Sequence, residues 1–443
     1  MIKTAREAAL TLLERCRRKQ AFSDALLGGI MDDFQLDKKD RGLCTRLSYG
    51  VLQNMLLCDY YIDSALSGSK KLEPKVRDIL RLSAYQLLFM DRIPDHAAVS
   101  QAVELCKTHA NPKAVGLVNA VLRRLAAQKD KLSEPVAESR REYLSIKYST
   151  PLAMTELLCN DYGEDFTEAL LCANNQQVPI TVQANTLKIS GEQLLQLLTA
   201  EEIDCCCHPY LPDCLETTDG AIFETEAYKN GLFYVQDAAA KMAVLAAGLK
   251  PGDTVLDACA APGGKSFAAA LAMNNSGLVH SYDIRKNKLK LIAEGAARLG
   301  IGILEIGEMD ASKPKEGLLG LCDAVLADVP CSGLGVIRKK PDIRYKDIAE
   351  LAQLPEIQLS ILEGLAKCVK PGGVLVYSTC TVLKRENQAV TDSFLKSNAD
   401  FTAEDFLPVQ GAPASENGCL NLFPHLHGTD GFYICKLRKR NEN

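Results

Sequence analysis

The 443-residue sequence contains no tryptophan, few aromatic residues of any kind (6%) and no Cys-x-x-Cys pair. It also lacks an uninterrupted apolar run of about 18 residues, the length that a membrane-spanning helix needs. The most apolar stretch, residues 238–249, is interrupted by Lys241. The N-terminus leads straight into an amphipathic helical pattern and shows no apolar signal-peptide segment. We therefore expect a cytoplasmic protein that does not enter a membrane.

The cysteines argue against both disulfides and a metal centre. There are 17 of them, an odd number, and most lie in apolar segments, as is typical of free thiols in a reducing compartment. The triplet Cys205-Cys206-Cys207, followed by His208, invites a metal interpretation. Adjacent cysteines cannot all point at one ion, however, and no second pair of ligands lies nearby in the sequence. We expect no metal.

The net charge of −5 is distributed unevenly along the chain. Residues 1–130 contain 21 Lys and Arg against 15 Asp and Glu, a net of +6, which leaves −11 for the remainder. A basic first part joined to an acidic remainder indicates that the first part meets a polyanion. Surplus basic residues on solvated helix faces would give the same balance. The candidate basic patch consists of Arg15, Arg17, Arg18 and Lys19.

The spacing of apolar residues divides the chain into four segments. Residues 1–128 show helical spacing and no strand alternation, which predicts an all-helical domain. Residues 129–147 are rich in charge and predict a linker or a solvated helix. Residues 148–235 mix short helices with β-rich pieces such as residues 180–184, which predicts a small α+β segment. Across residues 236–440, short apolar runs alternate with helical segments, which predicts a mainly parallel, Rossmann-like α/β sheet covered on both faces.

Ligands of such sheets bind beyond the carboxyl ends of the strands, and the first of these ends leads into a loop of small residues. Small residues let the backbone approach a ligand closely, and the following helix offers free N–H groups. The loop matches neither the dinucleotide pattern G-x-G-x-x-G nor a P-loop. It consists of Cys259, Ala260, Ala261, Pro262, Gly263, Gly264 and Lys265.

Two aspartates close the next two predicted strands. Asp283 lies where an acidic side chain would accept both ribose hydroxyls of a nucleoside, and Asp310 where one would accept the amino group of an adenine. Either residue alone would more often be a helix cap. Together with the small-residue loop they predict an adenosine site. Because no phosphate or nicotinamide cradle accompanies them, S-adenosylmethionine is favoured over NAD.

The last two strand ends each carry a cysteine. Asp328 and Cys331 follow one strand, and Cys380 follows the next. A thiolate that adds to carbon 6 of a pyrimidine turns the ring into an enamine, whose carbon 5 can attack a methyl donor. An aspartate can hydrogen-bond or protonate ring nitrogen 3, and a base must then remove the carbon 5 proton. Either cysteine alone would be a buried core thiol, but this combination predicts pyrimidine methylation.

Residues 257–265 (D-A-C-A-A-P-G-G-K), 328–333 (D-V-P-C-S-G) and 378–381 (S-T-C-T) resemble motifs of the bacterial RsmB (Sun/Fmu-type) methyltransferases, which make 5-methylcytosine in 16S ribosomal RNA. The resemblance implies that residues 259–265, Asp283, Asp310 and Asp328 contact S-adenosylmethionine. It also implies that Cys380 is the nucleophile and Cys331 the second cysteine, which helps to remove the proton and release the product. Asp328 would contact both the cytosine ring and the cofactor.

The first 128 residues separately resemble the NusB-like RNA-binding domain fused to this family, through residues 81–88, 93–99 and 118–124. The resemblance implies a protein that acts on 16S ribosomal RNA, either naked or within a partly assembled small subunit. We expect it to be a monomer. Our candidates for gripping RNA phosphates follow the Cys331 loop. They are Arg338, Lys339, Lys340, Arg344 and Lys346.

Two alternatives from other functional classes are weighed against this hypothesis. A purely RNA-binding, antitermination-like module would account for the helical half but leaves the paired cysteines and the adenosine-site aspartates without a role. A DNA cytosine methyltransferase would use the cysteine after proline, here Cys331, as its nucleophile. Enzymes of that class lack the 378–381 motif and a NusB-like domain.

Overall fold

The computed structural model describes residues 4–19, 23–66 and 72–441 and divides the chain into two compact units. The first unit combines Met1–Gln176 with a later segment, Ile337–Ile348. The second combines Gln177–Val336 with Ala349–Asn443. None of the described helices is both long and apolar enough to span a membrane.

The first unit is helical throughout its described residues, as the sequence predicts. A periodic apolar pattern near residue 80 predicts a helix, and one helix spans it. The sequence also predicts a break at Asn111-Pro112, because proline cannot continue a helix, and these residues separate two helices. The Asn111 side chain accepts from the Lys113 N–H at the break. Apolar faces of the helices between residues 5 and 128 form one shared core. The helices are α1 (Ala5–Lys19), α2 (Ser23–Asp33), α3 (Lys38–Gln53), α4 (Met55–Ala65), α5 (Pro74–Phe89), α6 (Asp95–His109), α7 (Val115–Gln128), α8 (Arg140–Lys147), α9 (Leu152–Tyr162) and α10 (Glu164–Ala173).

The boundary of this unit differs from the predicted one. Helix α8 occupies the second half of the segment predicted as a linker or solvated helix, and Ser139 caps it by accepting from the Glu142 N–H. Because α8 packs against both α4 and α9, the segment joins the helical core instead of separating two domains. Helices α9 and α10 also belong to this compact unit, whose first stretch ends at Gln176, whereas the predicted α+β segment begins at residue 148.

The second unit begins with a four-stranded antiparallel sheet in the strand order β2-β3-β1-β4. Strand β1 coincides with the predicted β-rich piece. The cysteine triplet forms the edge strand β2, where neighbouring side chains point to opposite faces. No group of His, Cys, Asp or Glu among the described residues is arranged to hold a metal ion. The elements are β1 (Ile180–Ala184), α11 (Gly191–Ala200), β2 (Cys205–Cys207), β3 (Cys214–Thr217), α12 (Glu226–Lys229) and β4 (Phe233–Val235).

A second sheet follows, with the order β10-β12-β9-β8-β5-β6-β7 and with β11 paired to β12. The five strands from β9 to β7 are parallel, as predicted, whereas β12 joins β9 antiparallel and was not foreseen. The elements are α13 (Ala238–Ala246), β5 (Thr254–Asp257), α14 (Gly264–Ala272), β6 (Leu278–Asp283), α15 (Leu289–Leu299), β7 (Leu304–Glu308), β8 (Cys322–Asp328), α16 (Ile348–Leu351), α17 (Leu354–Ala366), β9 (Val369–Thr379), α18 (Gln388–Ser397), β10 (Phe401–Ala403), β11 (Cys419–Leu422), α19 (Pro424–His427) and β12 (Phe432–Lys439).

Arg344 is buried inside the first unit, with 1% of its surface exposed. Its Nη1 donates to the carbonyl oxygens of Gln53 and Tyr148 at 3.0 Å and of Ser149 at 3.3 Å, and both Nη atoms donate to Asn175 Oδ1 at 3.0 Å. These acceptors lie at the ends of α3, α8 and α10, where carbonyls lack helical partners and the helix dipole is negative. Three helix ends therefore stabilise one guanidinium. The prediction that Arg344 grips RNA phosphates is wrong, because the side chain is buried and both of its Nη atoms donate inside the protein.

We expect Arg344→Met to lower the free energy of unfolding by about 3 kcal/mol, since it leaves several buried carbonyls without a donor. Urea unfolding followed by circular dichroism measures this loss. Arg123→Met, at an exposed arginine of α7, is the matched control and should change stability by no more than about 0.5 kcal/mol. Equal stability of the two variants would contradict the role given to Arg344.

Candidate active site

A cavity of about 730 Å³ opens where the strands of the parallel sheet end. The loops after β5, β6, β7, β8 and β9 all contribute to its lining, so polar residues far apart in the sequence meet at one edge of the sheet. Predicted site residues that line it are Cys259, Ala261, Asp283, Asp310, Asp328, Cys331 and Cys380.

The small-residue loop between β5 and α14 depends on glycine. Gly263 has φ of +114°, a conformation that side chains rarely adopt, and a Cβ there would lie 2.5 Å from Cζ of Phe267. At Gly264, a Cβ would lie 3.2 Å from Nε2 of Gln236. Larger residues would therefore push the loop and the start of α14 away from their neighbours.

Asp283 and Asp310 are held as acceptors at the cavity. Asp283 accepts the Ala261 N–H at 3.0 Å through Oδ2 and the Arg285 N–H at 2.8 Å through Oδ1. Oδ1 of Asp310 accepts from the side chain and the backbone of Ser312, which lowers the pKa of Asp310. Carboxylate oxygens retain further lone pairs, so both can accept from ribose hydroxyls or an adenine amino group. Ile284, 61% exposed, provides an apolar surface beside them. These hydrogen-bond acceptors and the apolar surface fit the adenosine part of S-adenosylmethionine.

Lys265 and Asp328 form an ion pair that the sequence did not indicate. Lys265 Nζ lies 2.7 Å from Asp328 Oδ2, and Ser378 Oγ donates to Asp328 Oδ1 at 2.9 Å. Burial acts to lower the pKa of Lys265, but Asp328 outweighs it and the pKa is raised, so the ammonium keeps its proton. Behind the pair, burial raises the pKa of Asp257 to about 7, while Ser266 donates to its Oδ2.

The two cysteine sulfurs meet at the end of neighbouring strands. Cys331 Sγ lies 3.1 Å from Cys380 Sγ, and the loops are joined again by the Gly335 N–H, which donates to the Cys380 carbonyl at 2.9 Å. The hydrogen bond to Cys380, followed by burial, raises the pKa of Cys331 well above its ordinary value. Cys331 therefore holds its proton and can donate it toward the Cys380 sulfur.

Cys259 lies between this cavity and a second one of about 350 Å³, and lines both. Burial raises the pKa of Cys259 far above its ordinary value, so it stays a neutral thiol. The second cavity also reaches Gln236, which precedes α13, as well as Gly264 and Lys265. The small-residue loop therefore presents surfaces to both cavities.

None of the predicted RNA contacts whose side chains the structure describes lines either cavity. Arg338, Lys339, Lys340 and Lys346 belong to the Ile337–Ile348 segment, which is part of the first unit, and Lys340 is exposed. In the predicted N-terminal patch, Arg17 pairs with Asp78 at 3.1 Å, which neutralises part of its charge. The side chains of Arg18 and Lys19 lie outside the described residues.

We expect Asp283→Ala to weaken S-adenosylmethionine binding about 10- to 100-fold, since a hydrogen bond to a charged group contributes about 1.5–3 kcal/mol. Isothermal titration calorimetry measures the affinity, and a melting curve checks the fold. Glu308→Ala, at an exposed position at the end of β7, should bind like the wild type. An unchanged affinity of Asp283→Ala would remove Asp283 from the site.

Family models match three stretches of the chain. Residues 3–127 match the NusB family, residues 151–221 match a ferredoxin-like domain of RsmF/B-like methyltransferases, and residues 244–438 match the 16S rRNA methyltransferase RsmB/F model. The crystal structure of PH0851 covers 99% of this chain and 98% of its own, with a TM-score of 0.81 and 26% identity. The structure of NSun6 from Pyrococcus horikoshii with SFG, 23% identical over 70% of this chain and 100% of its own at a TM-score of 0.58, shares the fold.

Two relatives are similar over nearly their whole length. The probable ribosomal RNA small subunit methyltransferase B of Bacillus subtilis is 38% identical and covers 99% of each chain. The ribosomal RNA small subunit methyltransferase B of Klebsiella pneumoniae is 33% identical and covers 92% of each. Both the expected fold and the expected cofactor, S-adenosylmethionine, are confirmed. The chain belongs to the family of ribosomal RNA small subunit methyltransferases B, enzymes that methylate ribosomal RNA with S-adenosylmethionine.

Proposed function

We propose that the protein methylates carbon 5 of a specific cytosine in 16S ribosomal RNA through a covalent adduct with Cys380. The observation that carries this proposal is the 3.1 Å contact between the Cys331 and Cys380 sulfurs, at a cavity that also presents Asp283 and Asp310. An enzyme that methylated an exocyclic nitrogen or a ribose hydroxyl would have no use for two thiols there. Carbon 5 of cytosine is a poor nucleophile and needs activation by addition at carbon 6.

The thiol pair supports a division of labour between the two cysteines. Cys331 keeps its proton, because its hydrogen bond to Cys380 and its burial raise its pKa. By donating to the Cys380 sulfur, it stabilises the thiolate form that adds to carbon 6. S-adenosylmethionine supplies the methyl group, which carbon 5 then accepts.

Formation of the adduct reverses the role of Cys331. The Cys380 sulfur becomes a thioether and can no longer share charge with its neighbour, so the largest of the causes that raise the pKa of Cys331 is lost, while its burial remains. Cys331, once it has released that proton to solvent, takes the proton from carbon 5. The carbon 5–carbon 6 double bond then re-forms, and Cys380 leaves as a thiolate.

Asp328 and Lys265 are placed to polarise the cytosine ring. Asp328 lines the same cavity as Cys331 and the small-residue loop. Its carboxylate can accept from the exocyclic amino group of the cytosine or bond to ring nitrogen 3. Lys265 stays protonated, and its Nζ lies 2.7 Å from Asp328 Oδ2. It brings a positive charge to the region where negative charge develops on the ring. The cytosine must leave its stack to reach these groups, so a loop or a flipped base is the substrate.

We expect deletion of each thiol to fail differently, because addition and elimination are separate steps. Cys380→Ala should abolish methylation and leave no covalent RNA adduct. Cys331→Ala should lose turnover but accumulate a protein–RNA adduct that survives denaturing gels when S-adenosylmethionine is present. The gel shift is the measurement, on 16S ribosomal RNA or its naked fragments.

Two controls make this comparison decisive. Cys368→Ala removes a buried thiol just before β9 and reports how much stability the loss of a core sulfur costs. The melting temperatures of the three cysteine variants should lie close together. The opposite pattern, with an adduct from Cys380→Ala and none from Cys331→Ala, would move the nucleophile to Cys331 and favour the mechanism of DNA cytosine methyltransferases.

We propose that RNA affinity comes from the first unit, which carries the NusB family match and the basic surplus. Lys339 and Lys340, which follow Cys331 closely in the chain, are its candidates for contacts with RNA phosphates. Reversing both to Glu should weaken RNA binding and reduce its salt slope by about 2, since each phosphate contact contributes about 0.9. Filter binding at several salt concentrations measures both quantities. Unchanged affinity and slope would exclude these lysines.

A further inference from the structure

Two buried side chains hold the backbone on both sides of Cys331. Gln358, on α17, donates from Nε2 to the Pro330 carbonyl at 3.0 Å. The same Nε2 donates to Glu386 Oε2 at 2.9 Å, and this oxygen also accepts the Ser332 N–H at 2.8 Å. The residue before Cys331 and the residue after it are therefore fastened to one Gln358–Glu386 pair, which we call the clamp.

The clamp also reaches the loop that carries Cys380. Glu386 lies six positions after Cys380, and its carbonyl accepts the Tyr377 hydroxyl of β9 at 2.6 Å. Next to it, Asn387 donates to the Thr381 carbonyl at 3.0 Å. The positions of the two sulfurs thus depend on one continuous set of hydrogen bonds.

Burying the two polar side chains of the clamp lowers the stability of the protein, so their burial needs an explanation. Gln358 and Glu386 are both 0% exposed, and Oε1 of each has no hydrogen-bond partner. A buried carboxyl group with one oxygen that lacks a hydrogen bond lowers the free energy of unfolding. An apolar pair of similar shape in the same place would not carry this cost. Unsatisfied buried polar groups are rare in folded proteins, and a role in catalysis is one of the reasons for which they are kept.

We propose that Glu386 and Gln358 are positioning residues that hold Cys331 where it can take the carbon 5 proton. This inference rests on the proposed function and adds to it a requirement for elimination. While Cys380 is bonded to carbon 6, the Cys331 sulfur must reach the hydrogen on the adjacent carbon. The clamp fixes the two peptide groups that determine where this sulfur lies.

The hydrogen bonds, not the charge of Glu386, carry this role. A glutamine at position 386 can place its amide oxygen where Oε2 now accepts from both Ser332 and Gln358, whereas an alanine cannot. We expect Glu386→Ala to lower turnover about 100-fold, the cost of a misplaced catalytic group, and to accumulate the RNA adduct as Cys331→Ala does. Glu386→Gln should keep turnover within about 10-fold of wild type. Gln358→Met, which keeps the volume but removes the donors, should behave like Glu386→Ala.

The experiment uses the full-length protein, 16S ribosomal RNA and S-adenosylmethionine, and records turnover, adduct on denaturing gels and cofactor affinity. Glu363→Ala, at an exposed glutamate on the same helix as Gln358, is the control and should match wild type. Cofactor affinity should stay at the wild-type level in every variant, which shows that the sheet is folded. Gln358→Met keeps the test open should Glu386→Ala fail to fold.

Three results would overturn the inference. Normal turnover of both Glu386→Ala and Gln358→Met would show that Cys331 needs no clamp. Loss of turnover without adduct would place the defect before elimination. A Glu386→Gln variant as inactive as Glu386→Ala would assign the role to the charge of the carboxylate. Failure of the proposed function looks different, since Cys331→Ala itself would then form no adduct.

Discussion

The contact between two sulfurs, 3.1 Å apart, is the constraint on which the site depends. Strands β8 and β9 are parallel neighbours with Asp328 opposite Ser378, so the loops that follow them leave the sheet side by side. Two chemically identical thiols whose sulfurs are in hydrogen-bond contact titrate as a coupled pair. The sheet supplies this proximity, and buried hydrogen bonds between the loops maintain it.

The parallel sheet and its strand-end residues could be predicted because their signals are local. Short apolar runs alternate with helical segments, and the rule that ligands bind beyond strand ends then brings Asp283, Asp310, Cys331 and Cys380 together without knowledge of any contact. The helix break at Asn111-Pro112 is local in the same sense. The antiparallel strand β12 was missed because its pairing with β9 joins distant parts of the chain.

The error at Arg344 has a physical cause, which also explains why Gln358 and Glu386 were not singled out. All three are polar side chains that are buried and bonded within the protein. Most of their partners are backbone carbonyls and amides, which every residue carries and which therefore leave no trace in a sequence. Helix α8 likewise packs on α4, a contact that no pattern in the charged segment indicates.

The central claim is that Cys380 forms the bond to the pyrimidine ring. The most direct test is to offer 16S ribosomal RNA that contains 5-fluorocytosine, whose carbon 5 has no removable proton after methylation, so that the adduct cannot collapse. Mass spectrometry of the digested complex then identifies the modified peptide. The account predicts one RNA-linked peptide, containing Cys380, formed only with S-adenosylmethionine. A link at Cys331, or no link at all, would contradict it.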